Sequence, residues 1–434
     1  MNTTFKTFLI LLLLFWPLFA QPQRIVFTGA HIIPVTGNEI ENGYLIIKDG
    51  IIIEIGQSGN LKVSEDMEVI DVNGKVIMPG LVDTHSHLGI DWGFDSDSPL
   101  HPDIRILDAI NPYQDNLNRA RAGGITTLNI MPGSGHLLSG QTVYLKPKKV
   151  HTVEEMLFCK DILHDICGGI KMANGTNSIR EKPFPGTRGK SAALVRDLFY
   201  KAMDYKAKLV AAGDDKSKAP DKNIGMDALV EVLNGERTVH FHTHRADDIL
   251  TVLRLQKEFG FKVVLQHVSE GWKVAKEIAE AGVPCSVILI DSPGGKLETV
   301  DLRFETAKIL SEAGVDVAFH TDDWITDARL FLRSAALAVR AGLSRKVALE
   351  ALTINGARML ELDDRIGSLE KGKSADFIIL SGDPLSVYTH VEQTWIDGKK
   401  EFDRADKEDY KYAVGGFKVY RGYNHIQCFD GGDH

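Results

Sequence analysis

Two histidines one residue apart, His85 and His87, close the run Val76-Ile-Met-Pro-Gly-Leu-Val-Asp-Thr-His-Ser-His-Leu88. In a strand, residues i and i+2 point to the same side, so the two imidazoles can chelate one divalent metal. Asp83, two residues earlier, is close enough to act as an outer partner of a metal-bound histidine. A His-x-His pair alone arises often by chance. This one gains weight from the Pro79-Gly80 step before it and from ligand types that recur after later β-rich runs. These are Lys171; then His240, His242 and His244; then His267; then His320, Asp322 and Asp323. Histidine and carboxylate together suit zinc or another borderline divalent ion.

The elements that must hold these groups alternate strand and helix. Strands are expected at 124–130, 142–145, 169–172, 238–242, 262–267, 284–289 and 316–319, which with the strand before His85 makes eight. The intervening amphipathic runs share an ending: Ala120-Arg-Ala-Gly, Glu258-Phe-Gly, Glu280-Ala-Gly, Glu312-Ala-Gly and Arg340-Ala-Gly each close on a glycine. This βα repeat predicts an α/β fold, a (β/α)8 TIM-like barrel over 79–362, whose strand C-termini converge on one face. A doubly wound sheet is the alternative, but it gives less reason for histidines at so many strand ends. Residues 24–78 read as short β-branched runs punctuated by Asp49-Gly50 and Asn73-Gly74, and the same texture returns over 363–403. The two segments are too small to stand apart, so they are expected to join as a small β-sandwich built from both ends of the chain. The polar, tyrosine-containing tail, 404–434, has no fold signal. It would pack on the barrel or on a second subunit in a homo-oligomer.

The chain has 434 residues, 44% hydrophobic and 25% charged, enough for a large core. A net charge of −9 with no basic block argues against a nucleic-acid partner. Lys6 precedes an apolar run ending at Ala20, followed by Gln21-Pro-Gln-Arg24. That pattern predicts a signal peptide over 1–20, cleaved after Ala20 although Leu18 stands where a small residue is preferred, and hence an exported, periplasmic or secreted protein. An uncleaved anchor is the other reading, for which the run is short. The four cysteines show no framework spacing; Cys159 and Cys167 read as core residues flanking a helix.

Several pieces together resemble the amidohydrolase superfamily, and within it the imidazolonepropionase-related amidohydrolases. They are Pro79-Gly-Leu-Val-Asp-Thr-His-Ser-His87, Met131-Pro-Gly-Ser-Gly135 with Gly140-Gln141, and Gly169-Ile-Lys-Met-Ala-Asn-Gly175. His242-x-x-Arg-Ala-Asp-Asp248, Gln266-His267, Thr321-Asp322 and Ile366-Gly-Ser-Leu-Glu-Lys-Gly-Lys-Ser-Ala-Asp376 complete the set. The resemblance implies that His85 and His87 bind a buried metal, that His242 and His267 bind a second, and that Asp322 contacts the first metal and shuttles protons. It further implies that Lys171 is carboxylated and bridges two metals. A plain Lys171 would leave a mononuclear site, as in deaminases. The cofactor is then zinc, one or two per chain. The implied reaction is hydrolysis of a C–N bond in a small amide, dipeptide, N-acyl amino acid or cyclic amide. A deaminase and a non-catalytic metal-binding barrel are the alternatives. His136, Arg188, His244 and Arg245 are the candidate substrate-binding residues. Arg180, Lys182 and Lys190 share a basic loop with Arg188, which would suit a substrate carboxylate. The loop from Asp291 to Lys296 lacks the aromatic run expected of near relatives.

Overall fold

The computed structural model describes residues 24–90, 95–289, 296–323 and 325–415. The segment expected to be a signal peptide, residues 291–295 and the tail beyond 415 lie outside the described residues. Strands β1 (Arg24–Ile32), β2 (Ile40–Lys48), β3 (Ile51–Gln57), β4 (Met67–Asp71) and β5 (Val76–Pro79) come first. Then follow β6 (Leu81–Ser86), β7 (Ile125–Ile130), β8 (Leu138–Gln141), β9 (Val143–Leu145) and β10 (Ile170–Ala173). After them come β11 (Val239–Thr243), β12 (Val263–His267), β13 (Cys285–Val287) and β14 (Val317–Phe319), and β15 (Phe377–Leu380), β16 (Val391–Ile396) and β17 (Lys399–Asp403) close the chain. The helices are α1 (Asp115–Ala122), α2 (Arg188–Ala212), α3 (Ile224–Leu233), α4 (Ala246–Phe259), α5 (Ala275–Ala281) and α6 (Thr306–Glu312), then α7 (Phe331–Arg340), α8 (Arg345–Ala351), α9 (Ile354–Met359) and α10 (Lys407–Val414).

Both ends of the chain meet in one mixed sheet, ordered β17-β16-β15-β5-β1-β2-β3 with β4 beside β1. Phe27 packs edge-on against Phe377 and Trp395, each at 5.0 Å between ring centroids, in an apolar core shared by the two ends. The buried Lys146 ammonium ties the insert to this sheet, 2.7 Å from Asp376 and 2.5 Å from Asp397.

The insert supplies nine strands, β6 to β14, in a six-stranded and a three-stranded sheet that share one apolar core. β6 and β7 pair in parallel, and β10 to β14 form a continuous parallel run. The expected third parallel strand is a correction: β8 and β9 run antiparallel, β8 against β10 and β9 against β7. Hydrophobic periodicity marks a strand but carries no direction, which explains the difference. The last stave reaches the first where the Asp322 N–H donates to the His85 carbonyl at 2.9 Å. Gly260 and Gly282 end α4 and α5 in the left-handed conformation that glycine tolerates best, as the recurrent endings predicted.

Two further expectations are corrected. Cys159 and Cys167 do not flank a helix; they form a disulfide across a turn. The start of the tail is helical: α10 lies against α1, with Tyr412 donating to Asp115 at 3.2 Å and Asp409 2.7 Å from the Lys149 ammonium. No helix among the described residues is long and apolar enough to cross a membrane.

Candidate metal centre

Parallel staves aim their C-terminal ends at one place, and six imidazoles converge there. His85 ends β6, and His87 follows it. The His87 Nδ1 is 2.8 Å from the Met131 carbonyl just beyond β7, which turns Nε2 toward Asp322 Oδ1 at 3.2 Å. The same Oδ1 lies 3.6 Å from His85 Nε2, and Oδ2 lies 3.8 Å from His267 Nδ1. His267 packs against His242 and His244, with ring centroids 4.4 and 4.9 Å away. Three overlapping ligand sets result: His85–His87–Asp322, His85–His267–His320 and His242–His244–His267, with the ligating atoms of each within 4.8 Å of one another. The Lys171 ammonium reaches the cluster from β10, 3.0 Å from His85 Nε2 and 3.1 Å from the Met131 sulfur.

The backbone is strained at this point. His267 and Asp322 hold φ of +72° and +47°, a conformation costing a non-glycine residue about 1–3 kcal/mol. The Asp322 amide donates to the His85 carbonyl at 2.9 Å, which ties this strained residue to the end of β6.

Burial pushes the pKa of His85, His242, His244 and His267 well below the ordinary imidazole value, and neighbouring cations push the same way. These rings are therefore neutral, with lone pairs to offer. Burial raises the Asp322 carboxyl, but the hydrogen bond and charge of His87, with His320 and Lys171, outweigh it and hold Asp322 below the carboxylate range. Among the described residues, the buried His85 Nδ1, His242 Nδ1, His244 Nε2 and His267 Nε2 have no hydrogen-bond partner. Buried polar atoms are rarely left so, and neutral imidazoles gathered in three overlapping ligand sets, one of them including the ionised Asp322, fit a divalent cation.

A model of the amidohydrolase family matches residues 76–402, about three-quarters of the sequence. The chain belongs to the amidohydrolase family. It is similar to an amidohydrolase from Thermotoga maritima MSB8 of solved structure, at 34% identity and a TM-score of 0.82, covering 88% of this chain and 100% of that one. The amidohydrolase tasK of Hapsidospora irregularis is 25% identical over 391 residues, 83% of this chain, which spans only 40% of that protein's length. An imidazolonepropionase from Fusobacterium nucleatum subsp. nucleatum is 22% identical over 404 residues, 84% of this chain and 92% of that protein. The protein is thus a metal-dependent hydrolase of the amidohydrolase superfamily, with buried histidine and aspartate groups suited to a divalent metal.

Within this amidohydrolase the other polar residues at the stave ends sort by their partners. His240 is held on both sides, by Tyr144 Oη at 2.8 Å and Gln266 Nε2 at 3.2 Å, so its ring is committed to packing. Asp323 turns away from the cluster: its carboxylate accepts from Arg119 at 3.1 Å and from the Ala328 amide at 2.8 Å. His244, a candidate substrate residue, lies in the cluster with Nδ1 2.8 Å from Ser269 Oγ. His136 is buried against Phe184 and His101, and burial with the nearby Arg180 charge lowers its pKa to about 4. The structure does not bring Arg188 or Arg245 onto the histidines. Arg188 starts α2 and donates to both Asp248 oxygens at 3.0 Å, while the half-exposed Arg245 pairs with Asp247. A separate cavity of about 220 Å³, lined by Arg105, Gln141, Cys167 and Arg237 among others, lies at the opposite ends of the staves and includes none of these histidines.

Three contributors went unassigned in the sequence. The Asn177 amide lies 3.4 Å from His242 Nε2. The Lys296 charge helps depress His242 and His244. His320 stands between His85 and His267, stacked on the first at 4.9 Å and 3.0 Å from Nδ1 of the second. Of these, His320 had a signal: it precedes Asp322 by two residues, the spacing of His85 and His87.

Proposed function

We propose that this amidohydrolase cleaves a C–N bond of a small amide: a dipeptide, an N-acyl amino acid or a cyclic amide. His85, His87 and Asp322 would hold one zinc ion, His242 and His267 a second, and a carboxylated Lys171 would bridge them. Bound dications supply Lewis acidity to a carbonyl oxygen and acidify water enough to make it a nucleophile at neutral pH.

The protein's own part is to place and move a proton. Asp322 is ionised beside three imidazoles, so it can accept the proton given up as water adds to the substrate carbonyl. It then returns that proton to the leaving nitrogen, which departs as a neutral amine. The neutral, buried histidines keep the site dry, so a charge placed there acts strongly. His136 and His244 are the substrate-side groups of this reading. Arg188 and Arg245 join them only if substrate draws them from Asp248 and Asp247.

The observation that carries the proposal is one carboxylate, Asp322, within 3.2–3.8 Å of His85, His87 and His267. Turnover of a panel of dipeptides and N-acyl amino acids by the zinc-loaded protein tests it. Asp322→Asn should lower turnover by about 10²–10⁴-fold with the metal still bound; near wild-type turnover would remove the proton-shuttle role. A second reading, a deaminase with one metal, is favoured by the close hydrogen-bond approach of the Lys171 amine to His85 Nε2, a geometry open to an unmodified lysine.

We read the two sheets of the insert as one closed barrel and the mixed sheet as a sandwich curled beside it. We also read the protein as exported. Support comes from the apolar run ending at Ala20 and from the Cys159–Cys167 disulfide, a bond that persists in oxidising compartments. N-terminal sequencing of the mature protein should begin at Gln21; a retained Met1 would point to an anchor.

A further inference from the structure

A buried hydrogen-bonded chain crosses the interior of the barrel behind the metal centre. Thr84 Oγ1 of β6 is 2.6 Å from Ser286 Oγ of β13. Ser286 Oγ is 2.7 Å from His320 Nδ1, just past β14, and His320 Nε2 is 3.0 Å from Nδ1 of His267, the last residue of β12. The four residues come from four staves, and all are 0–1% exposed. Water therefore has no access to substitute for a missing partner, and an unmatched donor or acceptor would cost about 1–3 kcal/mol.

We propose that His320 is a positioning residue that fixes the tautomer and orientation of His267. Resting on the metal-dependent reading above, this adds a function for a residue that reading leaves idle. The chemistry follows from matching donors to acceptors. A neutral imidazole has one N–H and one lone pair. His267 Nε2 is buried with no partner among the described residues, so it is the nitrogen available to a cation. The proton must then sit on Nδ1 and be donated to His320 Nε2. That puts the His320 proton on Nδ1, donated to Ser286 Oγ, whose hydroxyl in turn donates to Thr84 Oγ1. One proton order runs along the whole chain. A carboxylate or a backbone carbonyl commonly does this for a ligating histidine; here a second histidine does, itself oriented by two hydroxyls.

The alternative is that His320 ligates a metal directly, since its nitrogen also lies within reach of His85 and His267. Nitrogen-15 spectroscopy of the full-length, histidine-labelled protein separates the two. In the metal-free protein His267 should carry its proton on Nδ1 and His320 on Nδ1. On addition of Zn2+ alone, the Nε2 signal of His267 should shift to a metal-bound position and that of His320 should not. His320→Phe, which fills the same space without an acceptor, should weaken zinc binding about 10–100-fold in competition with a chromophoric chelator. His320→Gln, which keeps a side-chain acceptor, should recover part of the loss. An Nε2-protonated His267 in the metal-free protein would overturn the proposal, as would zinc on His320 or unchanged zinc affinity in His320→Phe. If zinc does not bind at all, the metal-dependent reading fails while the tautomer of His267 still decides this one.

Discussion

Thr321, just past β14, is fastened to β6 through Asp83: its amide and its hydroxyl both donate to the Asp83 carboxylate, at 2.9 and 2.5 Å. Asp322, the next residue, is aimed by this clamp. Asp83 is fully buried, and burial pushes its carboxyl up to about 7 against the pull of the two Thr321 hydrogen bonds. Its proton is thus held more tightly in the folded than in the unfolded chain. The stability this proton contributes is complete below the unfolded value of 3.8 and is lost as pH rises from there to about 7. In metal-free protein, the urea midpoint of the wild type should fall over that window relative to Asp83→Asn. A constant difference between the two would mean that Asp83 is ionised throughout.

Neighbouring aspartates should separate cleanly under mutation. Asp323 shares a buried ion pair with Arg119 at 3.1 Å, so Arg119→Met, which strands a buried charge, should cost about 3–5 kcal/mol of stability. Asp322→Asn should leave the melting temperature near that of the wild type and lower kcat by about 10²–10⁴-fold. Denaturant melts and steady-state kinetics on the two variants check this. A stable Arg119→Met would show that the pair is not structural.

Much of this centre was legible because barrel geometry is simple. Ligand pairs two residues apart at the end of a β-branched run, with glycine-ended helices between runs, place His85, His87, Lys171, His242, His267 and Asp322 at one mouth. What sequence could not carry was direction and partnership. The antiparallel course of β8 and β9 leaves no mark on periodicity. The pairing of Cys159 with Cys167 depends on the turn between them. The pairing of Arg188 with Asp248 and of Arg245 with Asp247, carboxylates on α4, is likewise not carried by the sequence. His320 was visible as a stave-end histidine, but its partners, Ser286 and His267, lie on other staves.

In the proposed reading the number of metals turns on Lys171. If it is carboxylated, protein refolded with zinc and bicarbonate should bind two zinc ions per chain, and Lys171→Met should bind one at most. If it is a plain amine beside His85, bicarbonate should have no effect and the wild type should bind one. Elemental analysis after gel filtration distinguishes these outcomes.

The Cys159–Cys167 disulfide closes a loop of sequence separation 8. A loop that short should stabilise the fold by about 2–3 kcal/mol through the lost freedom of the unfolded chain. Reduction, or the double change of Cys159→Ser and Cys167→Ser, should lower the denaturant midpoint accordingly with zinc content unchanged. Free thiols at both positions in protein isolated from its native compartment would contradict the export reading.

A zinc titration of chelator-stripped protein, read as bound metal and as turnover of the amide panel, tests whether the chain is a metal-dependent amide hydrolase. The protein should bind one or two ions per chain tightly, recover amide hydrolysis in parallel with occupancy, and lose both in the double variant His85→Ala, His87→Ala. Hydrolysis that persists at full strength in stripped protein, or wild-type zinc binding in that double variant, would contradict the metal-dependent reading.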